Sequence, residues 1–359
     1  MTVSTLPRSR NETTPLLQAD AAAPGHMLSG GTSTDPHSVA GDGDDDALPL
    51  AIAHRGYCAV APENSMLAFR KAAEVGAHAI ETDLHLSRDG VVVLTHDFSL
   101  KRTFGLDSNV SEHDWSILST LRTVREPHEP MIRLVDLLAW LNEPGQEHIW
   151  LMLDIKRDDN AEDLMRRTAA AIASVPTAKD QKQGWSDRIM LCCWTATYIR
   201  LSRQYLPGFP LANVTWSPFY AGAIAKAVPG VALSVHRLAL YSPFGQLLMR
   251  RLQRSGSRHP VYSWTINEES WMEWAIRRRL DGIITDDPRL FLEVCERHRR
   301  ERGNLLRRAR RRFSLHNTWQ GVHAWYEVLY FVWAFFVGKL VVMKQAFDPR
   351  VVHRDLNGG

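Results

Sequence analysis

From residue 48 onward the chain alternates short apolar runs, rich in β-branched residues, with longer stretches of helical periodicity. Few folds accept that rhythm. The apolar runs fall at 50–54, 79–84, 149–155, 189–194, 211–216, 231–235, 261–266 and 282–285, and helical patterns occupy 65–75, 134–141, 161–174, 243–254 and 268–279 between them. A further run, 91–95, follows Asp89-Gly90 and reads as a hairpin extension of the second strand. Eight strands separated by helices predict an α/β architecture, a closed parallel (β/α)8 TIM barrel. The rival, an open doubly wound sheet, would carry a glycine-rich turn after its first strand, and none is present. In a barrel, chemistry sits where the strands end, on the C-terminal face.

A barrel of this kind takes about 250 residues, so a chain of 359 has long flanks. Residues 1–48 are rich in Ser, Thr, Gly, Pro, Ala and Asp without an apolar period, the composition of a disordered segment. The barrel is expected over 49–303, a basic linker over 304–318, a hydrophobic segment over 319–345 and a tail over 346–359. Formal net charge is only +3, yet residues 41–47 read GDGDDDA and nine arginines crowd 297–312. Two arginines and several hydroxyl residues in the first seventeen echo a mitochondrial presequence, but Pro7, Glu12 and Pro15 spoil an amphipathic helix there. Glu12 ahead of Leu16-Leu17 also matches an acidic dileucine sorting signal, a pattern common by chance. The four cysteines form no disulfide framework and no secretory signal opens the chain, so a reducing, intracellular compartment is expected.

The strand ends carry the chemistry. The first run closes on His54-Arg55-Gly56, the second contains Glu81-Thr82-Asp83, and the hairpin run ends in His96-Asp97. Further ends read Asp154-Ile155-Lys156, Trp264-Thr265-Ile266-Asn267 and Asp286-Asp287. Glu81 and Asp83 are two apart in a strand and so face the same way. Side by side on an inward face they repel unless a cation lies between them. A divalent ion with hard oxygen ligands, Mg²⁺ or Ca²⁺, resolves this, and Asp154 could add a third carboxylate. Taken alone, an E-x-D pair is an ordinary pair of strand-end charges and a histidine past a strand a structural hydrogen-bonder. Together, His54 and His96 flanking the carboxylates look like a general acid and base. Arg55 and Lys156 would face a phosphate's non-bridging oxygens, as fork and point charge, where otherwise they would serve in surface salt bridges.

These residues resemble a known family. The stretch AHRGY…APENSMLAFRKAAEVGAHAIETDLHLSRDGVVVLTHD, with YSWTIN and DGIITDDP further on, is similar to the glycerophosphodiester phosphodiesterase superfamily over about residues 50 to 300. LMLDIK, LSVH, ITDDP and the hydrophobic C-terminal stretch look closest to its fungal phosphatidylglycerol phospholipase C branch. LMLDIK is also a departure, since most of the superfamily has Glu where this chain has Asp154, one methylene shorter. The resemblance implies a TIM barrel, a divalent cation, His54 and His96 as acid and base, and phosphate contacts from Arg55 and Lys156. It also implies that Trp264 lines the pocket, with Asn267, His236 and Asp286 as candidates by position.

The expected reaction is phospholipase C cleavage of phosphatidylglycerol to diacylglycerol and glycerol phosphate. A glycerol hydroxyl beside the phosphoester can attack phosphorus intramolecularly, and such proximity is worth about 7–11 kcal/mol. The alternative is action on soluble glycerophosphodiesters, giving glycerol 3-phosphate and an alcohol. Further rivals are a phospholipase D-like cut on the other side of the phosphate and a catalytically silent barrel.

Residues 325–343 read WYEVLYFVWAFFVGKLVVM, with Glu327 and Lys339 as the only charges. That is near the short limit for a spanning helix. Trp319, Trp325, Tyr326, Tyr330 and Trp333 suit the headgroup region better. Arginines 307, 308, 310, 311 and 312 precede it and would meet an anionic membrane surface at about 1 kcal/mol each. No nucleic-acid motif accompanies them. The expected partners are therefore a phospholipid substrate and an anionic membrane, with the enzyme facing the cytosol from a mitochondrion, endoplasmic reticulum or lipid droplet.

Overall fold

The computed structural model describes residues 47–177, 184–305 and 348–358. All of these described residues belong to one compact unit. Among the described residues, nine strands form one sheet: β1 (Leu50–His54), β2 (Ala79–Leu86), β3 (Val92–Leu94), β4 (Trp150–Ile155), β5 (Ile189–Cys193), β6 (Leu211–Thr215), β7 (Ala232–His236), β8 (Val261–Trp264) and β9 (Gly282–Thr285). Their order is β1-β9-β8-β7-β6-β5-β4-β2-β3, and a β1–β2 pairing closes the ring. Every pairing is parallel except β2 with β3. The expected barrel is therefore present, with β3 folded back as a hairpin outside the closure.

The barrel has a clean period of two. Ile52, Ala79, Met152, Met190, Cys192, Val214, Tyr262 and Ile284 meet in the interior. Their strand neighbours Ala51, Ala53, Ile80, Leu151, Leu153, Leu191, Leu233 and Ile283 face outward into the layer of helices. Alternate Cβ atoms point to opposite faces of a strand, so both faces must be apolar, which is why the runs read as continuous. Each fully buried Leu or Ile contributes about 1.5–3 kcal/mol.

Differences from expectation are confined to ends and insertions. β2 runs two residues further, to Leu86, because the hairpin gives it a partner beyond the barrel rim. β8 stops at Trp264, and Ile266 instead donates its N–H to Ile284 O outside the ladder. Helices Ala196–Tyr205, Pro218–Ala227 and Pro288–Leu305 join those expected. The excursion over residues 97–133 packs Leu100, Val110, Leu118 and Met131 against Val93 of β3 in a small core. The last barrel helix ends at Leu305, two residues into the expected basic linker. Helix Val352–Asn357 seats Val352 in the main core, so that part of the expected tail belongs to the fold. The rest of the expected basic linker, the expected hydrophobic segment 319–345 and nearly all of the segment 1–48 expected to be disordered lie outside the described residues. Among the described residues, no helix is long and apolar enough to cross a membrane.

Candidate active site

The same two-residue period that fills the barrel also builds the site. His54 lies two residues past inward Ile52, and Glu81 and Asp83 two and four past Ala79. Asp154 and Lys156 follow Met152 in the same way, and Trp194, Trp216 and Trp264 follow Cys192, Val214 and Tyr262. Register then sets neighbours: His54 pairs with Glu81 and Asp83 with Asp154. A polar layer thus caps the apolar interior at the C-terminal mouth. There His54, Arg55, Glu81, Asp83, His96, Asp154, Lys156 and Trp264 line one cavity of about 170 Å³.

The turn after β1 is specialised. Arg55 and Gly56 both have left-handed backbones, with φ of 56° and 81°. A Cβ at residue 56 would sit 2.7 Å from the backbone carbonyl carbon of Ala68, so only glycine fits. This turn aims the Arg55 backbone N–H at Glu81 Oε2, 3.0 Å away, and its guanidinium at Glu63 Oε1, 2.9 Å away. Arg55 Nε also lies 3.4 Å from Asp83 Oδ2. Asn64 donates to Asp83 Oδ2 at 2.8 Å and accepts from Thr82 at 2.7 Å, locking that carboxylate in place. The adjacent helix Met66–Glu74 is capped by Ser65.

Two relays hold the histidines. His54 Nδ1 donates to Asp286 Oδ1 at 2.5 Å, while Cys58 Sγ and Asn267 Nδ2 donate to the same carboxylate at 3.1 and 2.6 Å. Burial pushes the Asp286 carboxyl up, but those donors, His54 first, hold it down to about 2. His96 Nδ1 meets Asp97 at 2.7 Å, Arg102 bridges Asp97 to Glu63, and Glu63 returns to Arg55. Burial holds the His96 imidazole below its usual pKa and outweighs the pull of Asp83, leaving it neutral at pH 7.

The acidic cluster fits a divalent cation. One carboxylate oxygen each from Glu81, Asp83 and Asp154 lies within 4.8 Å of the others, and all three side chains are buried. Lys156 Nζ spans Asp83 at 2.7 Å and Asp154 at 2.6 Å. Burial favours a neutral Asp83, yet Lys156, Arg55 and His96 hold it well below the carboxylate range. Glu81 is left short of positive charge. Burial, then Asp83 and Asp154, push its carboxyl well up. Three hard oxygens around an under-compensated carboxylate are a donor set for Mg²⁺ or Ca²⁺. Such an ion would supply charge neutralisation at a bound phosphate.

Besides Asp286 behind His54, two further named residues stand apart from the cavity lining. His236 stacks on Trp216 at 4.0 Å, and burial with Arg237 holds it down to about 3, so it acts as a neutral ring behind the aromatic wall. Asn267 anchors Asp286 through its side-chain donor and by accepting the Asp286 backbone N–H at 2.9 Å. Other groups went unassigned in the sequence: Trp194, Trp216, Cys58, Asp97, Arg102, and the Glu63-Asn64 pair within PEN. Trp194 matters most, because its indole N–H donates to Asp154 Oδ1 at 2.7 Å. Strand parity would have found both tryptophans. Cys58 shows no ligand spacing in the sequence, and burial with Asp286 pushes its thiol well up, so it serves as a donor.

Known proteins resemble this chain. The model of the glycerophosphoryl diester phosphodiesterase family matches residues 54–290. A glycerophosphodiester phosphodiesterase of Caldanaerobacter subterraneus is 23% identical over 259 residues, 69% of this chain and 98% of that protein. Glycerophosphodiester phosphodiesterase domain-containing protein 4 of Macaca fascicularis is 44% identical over 81 residues, 20% of this chain and only 13% of that protein. The solved structure of an Oleispira antarctica phosphodiesterase, in complex with the product sn-glycerol-3-phosphate, superposes with a TM-score of 0.59 at 20% identity, covering 69% of this chain and 97% of that one. With the family match spanning most of the barrel and the site, the chain belongs to the glycerophosphoryl diester phosphodiesterase family and is a phosphoric diester hydrolase.

Proposed function

We propose that the chain hydrolyses glycerophosphodiesters to glycerol 3-phosphate and an alcohol, using a divalent cation held by Glu81, Asp83 and Asp154. The observation that carries this reading is the cavity: two histidines, two cations and three carboxylates around about 170 Å³. Pockets that engulf drug-sized ligands measure about 300–1,000 Å³. This one suits a glycerophosphoryl unit and leaves the alcohol side at the mouth. Neutral His96 takes the proton of the glycerol hydroxyl beside the phosphoester, whose oxygen then bonds to phosphorus. Arg55 and Lys156 hold the non-bridging oxygens as charge builds. His54, paired with Asp286, protonates the departing alcohol oxygen as its bond to phosphorus breaks. Water, deprotonated by His54, then opens the cyclic phosphate, and His96 returns its proton to the glycerol oxygen.

A narrower reading, phospholipase C action on phosphatidylglycerol, is favoured by the wall of Trp194, Trp216 and Trp264, which offers an apolar path for an acyl-bearing alcohol. In that reading residues 304–345 hold the enzyme to an anionic membrane facing the cytosol. The test is product identification. Purified protein is incubated with glycerophosphocholine, glycerophosphoglycerol, phosphatidylglycerol and phosphatidylcholine, with EDTA, Mg²⁺ or Ca²⁺. Cation-dependent glycerol 3-phosphate from the soluble diesters, lost in His54→Ala, supports the main reading. Diacylglycerol from phosphatidylglycerol alone replaces it with the narrower one, and no turnover of any diester overturns both.

A further inference from the structure

Apart from the catalytic cavity, a groove of about 550 Å³ lies between helices Pro218–Ala227 and Pro243–Arg254. Its rim holds Phe219, Phe244 and Leu247, exposed by 58%, 56% and 43%. The rings of Phe219 and Phe244 meet at 5.0 Å, so the three side chains form one patch. That patch begins close in the chain to the active site. Phe219 lies three residues past Trp216, which lines the catalytic cavity, and the helix carrying it begins where β6 ends. The patch thus sits at the C-terminal rim of the barrel, beside the mouth.

Charge follows a matching pattern on the two helices. Lys226 lies seven residues after Phe219, and Arg251 seven residues after Phe244. Seven residues are two helical turns, so each cation lies on the same face as its phenylalanine, about 10 Å further from the rim. Both cations are exposed and line the groove, where no Asp or Glu among the described residues joins them. An interfacial apolar surface sinks about 5–10 Å into the boundary between headgroups and acyl chains. Phenylalanines at that depth would leave the two cations level with lipid phosphates.

We propose that this face docks on an anionic lipid surface and presents the catalytic mouth to it. It deepens the functional reading above, and its consequence for substrate choice rests on that reading. The occupant is a bilayer, because paired aromatic-over-cation columns match the layering of a lipid surface, and a flat protein partner has no need of that depth order. Binding here orients the wall of Trp194, Trp216 and Trp264 towards the lipid, so an acyl-bearing alcohol could leave the site without crossing water.

The test uses the full chain and vesicles of phosphatidylcholine, with and without phosphatidylglycerol. The pair Phe219→Ser/Phe244→Ser should partition at least roughly ten-fold less to both vesicle types, from the lost apolar burial. The pair Lys226→Gln/Arg251→Gln should lose affinity for the anionic vesicles only, by about five-fold per charge. Turnover of a soluble glycerophosphodiester by each variant should stay at the parent rate, which keeps this test separate from the functional reading. Another segment could anchor the chain, so a bimane label at Phe244→Cys gives a local readout, quenched by nitroxide-bearing lipid if the face meets the bilayer. Unquenched label, or partition unchanged in the phenylalanine pair, overturns the proposal. A dimer in solution that the same pair abolishes, with the label unquenched, would assign the face to a second copy.

Discussion

Replacing Asp286 with asparagine tests the relay behind His54. The two side chains have the same size, but the amide presents one acceptor and one donor where the carboxylate presents two acceptors. In the native site both oxygens are used, Oδ1 by His54 and Cys58 and Oδ2 by Asn267. Either orientation of the new amide therefore sets a donor against a donor, at His54 or at Asn267. A hydrogen bond to a charged group is worth about 1.5–3 kcal/mol. Because 34% of the Asp286 side chain meets solvent, the lower part of that range applies, about 1.5–2 kcal/mol. Felt in the transition state, that is roughly a 10- to 30-fold fall in kcat. The assay is steady-state release of glycerol 3-phosphate from a soluble diester, with KM expected to stay near the parent value. The acid limb of stability gives a second readout. Asp286 is held down to about 2, below its unfolded value, so its contribution is complete above the unfolded pKa and is lost as pH falls through about 2. Asp286→Asn should flatten that part of the profile. Undiminished kcat, or a loss seen only in KM, would refute the assignment of Asp286 as the positioning partner of His54.

Other perturbations probe the remaining parts of the site. Glu81→Gln removes a buried charge that burial and its acidic neighbours disfavour, so stability in EDTA should hold or rise. The same change should erase the thermal stabilisation by Mg²⁺ or Ca²⁺, about 2.7 kcal/mol at a hundredfold excess over Kd in the parent; a retained cation shift would place the ion elsewhere. Trp194→Phe keeps an aromatic ring at the wall and deletes the 2.7 Å bond to Asp154. Cation affinity by titration calorimetry should fall about 10- to 100-fold, and equal affinity would show that the indole does not hold that ligand. Gly56→Ala combines a left-handed backbone with a Cβ 2.7 Å from Ala68, so it should cost at least about 1–2 kcal/mol in a urea titration. A midpoint equal to the parent's would mean the turn can relax.

The barrel, the hairpin over 91–95 and the carboxylates, histidines and cations of the cavity follow from local pattern, while the pocket role of Trp264 came from the family resemblance. The reason is periodicity. A strand buried on both faces reads as a continuous apolar run, and the first polar residues after it mark the mouth. Glu81 and Asp83 share a face whatever the rest of the chain does. Even Trp194 and Trp216 were legible by parity with Cys192 and Val214, although nothing in their own type distinguishes them from core aromatics.

What tertiary structure alone decided is which groups meet across long separations. Asp286 reaches His54 across 232 positions because β9 and β1 are neighbours in the closed ring, a pairing that no local pattern encodes. Asn267 turned out to position that carboxylate, and His236 to stack behind Trp216, because position at a strand end does not say which way a side chain is drawn by its neighbours. The burial that neutralises His96 and loads Glu81 likewise depends on everything packed around them. Sequence periodicity determines the strands and the direction of their side chains. Closure of the barrel determines the distances between those side chains, and with them the charges that perform the chemistry.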